Sequence, residues 1–162
     1  FVVAEGDALV GQFDEAVKLL QEARNDLLYP TPYFATQNLG IAMAKQGRHK
    51  EAVPYFQEAI GQQPDLCAAY FYLGESLIAL QSLPAAQAAF EKLVERCDSD
   101  RMKLLVVPDL LADAYQALAE VCATQGNAEC VADVVQRCLT RFGDLPVAQR
   151  CKLALQNSAT TE

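Results

Sequence analysis

The chain has 162 residues, 52% hydrophobic and 21% charged, with a formal net charge of −8. That length suits one domain or one short repeat array, and the apolar share is enough for a continuous core. Lys and Arg occur singly rather than in stripes, so the surface repels phosphate backbones and anionic lipid, and nucleic acid is not an expected partner. The longest apolar stretches, such as Leu104 to Val107, fall far short of the roughly 20 residues of a membrane span. No signal-peptide pattern is visible, and the chain opens at Phe1 inside a helical pattern, so it is expected to lack an upstream segment. Alanine and leucine dominate, tryptophan is absent and β-branched residues never alternate, which predicts an all-α fold.

The elements follow a repeat of 34 residues. Upstream, Gly11, Phe13, Ala16 and Ala23 fit the turn and second helix of a first repeat over about 1–30, whose first helix is partly cut off. Residues 33–66 and 67–100 superpose position by position: Leu39-Gly40 on Leu73-Gly74, Ala52 on Ala86, Phe56 on Phe90. Gly47 marks the turn of the first of these copies and Pro64 its end. Gly40 and Gly74 are expected where two helices press closest, faced by Ala52 and Ala86, with Phe56 and Phe90 filling the gap between hairpins. Pro54 falls about one turn into a helix starting near His49, where its cost is small.

An insertion from Arg101 to Leu111 follows. A new helix is expected from Pro108, whose fixed φ suits a helix start, with a turn of helix before it. Tyr115, Leu118-Ala119, Gly126-Asn127 and Val135 then fit a fourth repeat over 112–145. Residues 146–157 read as an amphipathic capping helix and 158–162 as a disordered tail, within a single domain over 1–157. Leu-Gly, turn Gly, Ala, aromatic and Pro at these spacings resemble the tetratricopeptide repeat. The resemblance implies an α-solenoid of about four hairpins, each burying its apolar face only against its neighbours.

No catalytic constellation is present in the sequence. The single histidine, His49, lies in a turn between Arg48 and Lys50 and reads as solvated; a hydrolytic triad has no partners for it. There is no phosphate-binding glycine loop, and Gly74-Glu75-Ser76 falls mid-helix, where a nucleophile elbow cannot form. Glu91 and Glu95, flanked by Lys92 and Arg96, form a solvated face. The expectation is a protein-binding module that is not an enzyme, with no cofactor, metal or small-molecule substrate.

Six cysteines, without a C-x-x-C, stand at Cys67, Cys97, Cys122, Cys130, Cys138 and Cys151. The repeat frame sets Cys122 and Cys130 symmetrically about the Gly126 turn. Cys138 and Cys151 bracket the turn at 143–146, and Cys67 and Cys97 lie at the same end of the third hairpin. The alternative is a set of reduced core cysteines; disulfides are the expectation, and they imply an oxidising compartment such as the periplasm.

The first helix of each repeat in this family lines a groove. The positions expected to face it are Phe34, Gln37, Ile41 and Ala44, then Ala68, Phe71, Glu75 and Ile78, then Asp113, Gln116 and Glu120. Phe34, Ile41, Phe71 and Ile78 would receive an apolar peptide or helix, and the acidic end a basic flank; the alternative is that some of them pack against a neighbouring hairpin. The chaperone-type carboxylate clamp is absent, since its positions hold Gln37, Ile41, Tyr72, Asp113 and Ala117.

Leu28-Tyr29-Pro30-Thr31-Pro32 running into Phe34 and Asn38-Leu39-Gly40, with Cys67 after Pro64-Asp65-Leu66, is similar to the type IV pilus pilotin lipoproteins of the PilF, PilW and Tgl group. That resemblance, over about residues 10–100, implies an outer-membrane-anchored periplasmic factor that helps a secretin channel assemble and binds a secretin segment. The lipidated cysteine of the group does not occur in this sequence, so any membrane association would run through an anchor outside it. The alternative is a generic cytoplasmic adaptor or co-chaperone scaffold.

Overall fold

Alanine-rich segments punctuated by glycine and proline form the helices. The computed structural model describes residues 2–26, 28, 30–99 and 108–159. Among them run α1 (Val2–Asn25), α2 (Pro32–Lys45), α3 (His49–Gln62), α4 (Cys67–Ala79), α5 (Leu83–Cys97), α6 (Pro108–Thr124), α7 (Ala128–Phe142) and α8 (Ala148–Ala159). None of these helices is long and apolar enough to cross a membrane. The residues group into two compact units, Phe1–Ala69 and Tyr70–Glu162. Tyr29 and the turn of helix expected before Pro108 lie outside the described residues.

In the first unit, α1 packs on α2 and α2 on α3. The turn expected at Gly11 is not there, because α1 runs unbroken for 24 residues. A mid-helix glycine costs about 1 kcal/mol relative to alanine, but without a cap or a proline beside it the helix continues. Pro32 occupies the first turn of α2, where its missing N–H costs no hydrogen bond. Pro54 sits inside α3, exposed, and leaves the helix intact. Gly47, at φ 74°, makes the turn between α2 and α3.

The core of this unit holds Leu39, Met43, Ala52 and Phe56, all buried. A Cβ added to Gly40 would stand 2.6 Å from Cε1 of Phe56. The aromatic ring therefore lies over the glycine of its own hairpin, a contact the assignment of Phe56 to the gap between hairpins had missed. Arg24, in the last turn of α1, reaches Glu58 of α3 through a two-pronged ion pair at 2.7–3.1 Å and lies 5.8 Å from the centre of the Tyr55 ring.

In the second unit the same arrangement recurs. A Cβ on Gly74 would lie 2.5 Å from Cζ of Phe90, and Phe71 meets Phe90 edge-on with ring centroids 5.9 Å apart. The turn into α5 places Gln81 at φ 58°, 34 residues after Gly47, in a conformation that favours glycine. The helix expected from Pro108 is α6. It packs against α5, α7 and α8, and α7 also packs on α8. Asn127 caps α7 by accepting a hydrogen bond from the Cys130 amide at 3.0 Å.

Two disulfides join α6, α7 and α8 in series. Cys122–Cys130 spans 5.8 Å between Cα atoms and Cys138–Cys151 spans 6.3 Å, both within the usual range for a bridge. Cys67 belongs to the first unit and Cys97 to the second; neither is free. The capping helix extends to Ala159, so Ser158 and Ala159, expected in a disordered tail, are helical.

Candidate functional site

The first helices carry the positions expected to meet a partner, and each unit presents its own set. On α2, the spacing of Phe34, Gln37 and Ile41 keeps the three on one side of the helix. Phe34 is 44% exposed, which is unusual for a large aromatic side chain. Its neighbour Tyr33 explains why. Tyr33 packs against the buried Ala59, Leu66 and Ala69, while the Phe34 ring, 4.7 Å from that of Tyr33, stays outside. Leu28, in the connection before α2, is 90% exposed, so apolar surface continues on the approach to the helix.

Gln37 is buried, and its Oε1 accepts no hydrogen bond from the described residues. An unpaired buried acceptor of this kind costs about 1–3 kcal/mol. Ile41 and Ala44 are half-buried. Phe34 is thus the most exposed apolar side chain of this set.

The positions of the second unit are more occupied. Phe71 is half-buried, with its ring set edge-on to Phe90 and, at 5.8 Å, to Tyr72. It packs within its own hairpin, which α4 and α5 form, and not against the neighbouring hairpin weighed as the alternative. Ile78 and, in the first unit, Ala68 are half-buried, and Glu75 is exposed. On α6, the Asp113 carboxylate accepts from Arg150 of α8 at 2.7 Å, and the same guanidinium reaches Asp109 at 2.7 Å. Gln116 donates to Glu120 at 2.8 Å. A basic flank arriving at Asp113 meets a carboxylate already holding the arginine of the chain's own capping helix.

A concave region lies away from these positions. It is a cleft of about 560 Å³ between α5 and α7, floored by Tyr115 of α6. Asp98, at the C-terminal cap of α5, accepts from the Tyr115 hydroxyl at 2.6 Å and from Nε of Arg141. Burial, then the hydrogen bond to Asp98 and its charge, push the Tyr115 phenol well above its ordinary range. Arg137 lies 6.0 Å from the centre of the Tyr115 ring, and Arg141 lies 5.5 Å from that of Phe142. These groups come from segments separated by up to 43 residues, and no local motif joins them.

A tetratricopeptide repeat profile matches residues 10–66 and 38–101. Among solved structures the chain is similar to PilW, a widely conserved type IV pilus biogenesis factor, with a TM-score of 0.68 and 24% identity over 86% of this chain and 59% of that one. The chain therefore spans about three fifths of the PilW structure. It is also similar to YrrB, a tetratricopeptide repeat protein with an unusual peptide-binding site (TM-score 0.63, 20% identity, 90% of this chain and 69% of that one). A third likeness is to the N-terminal domain of stress-induced protein-1 from C. elegans (TM-score 0.64, 20% identity, 76% and 94%). At these identities the structural likeness speaks to fold alone. A comparison with curated proteins returns no significant match.

Proposed function

This chain belongs to the tetratricopeptide repeat family, and on that premise we propose that it is a pilotin-like assembly factor of the type IV pilus, binding a secretin segment through its first helices. Repeats of this type bind other proteins or peptides, since their stacked helices expose extended surfaces without a reactive centre. The observation that carries the finer reading is the serial stapling of α6, α7 and α8 by two disulfides, which fits an oxidising compartment such as the periplasm. The likeness to PilW and the Pro30-to-Gly40 segment before and within α2 point the same way. In this reading the protein works in the periplasm, held at the outer membrane by a lipid anchor outside this sequence.

Phe34 is the anchor we assign to the binding surface, because it is the exposed large apolar side chain of α2 and a few apolar anchors carry much of an interface's energy. Phe34→Glu is the clean test, since Phe71 also holds its own hairpin together. The variant should keep its helical content and its melting temperature while losing capture of the purified secretin. Undiminished capture would remove Phe34 from the surface. Failure of the unmutated protein to bind secretin, with disulfides intact, would overturn the pilotin reading itself.

A further inference from the structure

We propose that the cleft between α5 and α7 is a second binding site, one that takes a carboxylate group. Two guanidinium groups, Arg137 and Arg141, line it from successive turns of α7. Neither is consumed by its present partners. Arg141 engages Asp98 through Nε, and its two Nη groups hold no hydrogen bond among the described residues. Arg137 reaches Asp133 only through Nη1, at 3.3 Å, in an exposed pair that is weak in water.

Aromatic rings support both guanidinium groups beside their carboxylate partners, Asp98 for Arg141 and Asp133 for Arg137. Arg137 lies over Tyr115 and Arg141 over Phe142, and these two rings meet edge-on at 6.3 Å, so the aromatic support is shared. Each Asp98 oxygen already accepts a hydrogen bond, one from Tyr115 and one from Arg141. Pre-organised donors of this sort lose little side-chain entropy on binding.

The charges nearby decide which anion fits. Asp98, Asp133 and the exposed Glu95 on the opposite wall stand against the two arginines, so a dianion such as phosphate meets repulsion. A monoanion meets less of it, and a planar carboxylate can take paired N–H groups from a guanidinium edge. The net charge of −8 repels acidic molecules at long range. The carboxylate is therefore best delivered on a neutral or basic carrier, whose positive group faces Glu95.

The test is NMR of the arginine side-chain Nε–H signals in the oxidised protein. Acetate, N-acetyl-aspartyl-lysine amide and inorganic phosphate are titrated separately at constant ionic strength. Saturable shifts of Arg137 and Arg141 with the two carboxylates, at least severalfold stronger than with phosphate, are expected. Arg137→Gln should abolish them while Arg141 continues to hold Asp98. Tighter binding of the dipeptide than of acetate assigns the site to protein segments, and equal binding assigns it to small carboxylates. Shifts that do not saturate, that phosphate reproduces, or that survive Arg137→Gln would overturn the proposal.

Discussion

Replacing Gly74 by alanine tests the packing of the third hairpin with the smallest possible addition. Alanine is the better helix former, so in open space the change would stabilise by about 1 kcal/mol. Gly61 is such a place: it lies in the last turn of α3, is exposed, and has no atom within 4 Å of an added Cβ. At Gly74 the new methyl would stand 2.5, 2.6 and 2.7 Å from three carbons of the Phe90 ring. Carbon atoms settle at about 3.5–4.0 Å, so ring or helix must retreat by about 1 Å. The ring has nowhere to go, being fully buried with Phe71 against it.

Overpacking of this kind costs about 1–3 kcal/mol, which exceeds the propensity gain. Gly74→Ala should therefore destabilise by about 1–2 kcal/mol, while Gly61→Ala stabilises by up to about 1 kcal/mol. Urea denaturation of oxidised protein, followed by far-UV circular dichroism, reads both. Adding Phe90→Leu to Gly74→Ala should recover part of the loss non-additively, since the two sites share one contact. If Gly74→Ala matched Gly61→Ala, the glycine would not be there to admit the ring and the reasoning would fail.

Other outcomes follow from the turn, the phenol and the cysteines. Gln81 adopts φ 58° at the turn where Gly47 stands one repeat earlier, so Gln81→Gly should stabilise by about 0.5–1 kcal/mol in the same urea assay, against a loss for Gly47→Ala. Tyr115 ionises only above its unfolded-state value near about 10, so the stability gained from its neutral form is whole below that pH and disappears as pH rises through the folded value. In alkaline titration tyrosinate absorbance from Tyr115 should appear only with unfolding, and Tyr115→Phe should flatten the alkaline loss of stability; early ionisation would refute the buried bond to Asp98. Mass spectrometry of alkylated, unreduced protein should find bridges 122–130 and 138–151, and 67–97 as the third pairing. Reductant should lower the melting temperature and loosen 112–157 first, because the 138–151 loop alone is worth roughly 3 kcal/mol in the chain-entropy account. Six free thiols from an oxidising compartment would remove the support for a periplasmic protein.

What the sequence determined by itself was the periodic part of the structure. Leu39-Gly40 and Leu73-Gly74, with Ala52 and Ala86 twelve residues after each glycine, define hairpins because spacing across a turn brings them together within one repeat; that the Phe56 and Phe90 rings lie over those glycines came from the structure. The bridges 122–130 and 138–151 were legible for the same reason, since residues bracketing a turn between antiparallel helices come close whatever surrounds them. A local signal misled at Gly11, where glycine weakens a helix without ending it and the packing of α1 on α2 outweighs the loss.

The tertiary structure alone decided which polar and aromatic groups are available. Phe34 and Phe71 are both expected at the groove, yet Phe34 is exposed while Phe71 is held against Phe90. Asp113 looked like a free groove carboxylate until Arg150 of α8 was found on it. Asp98, Tyr115 and Arg141 share no spacing that a sequence could announce. The physical reason is range. Turns and the bridges across them join nearby residues, where spacing fixes geometry, whereas ring contacts and ion pairs between helices depend on how separate segments come to lie side by side.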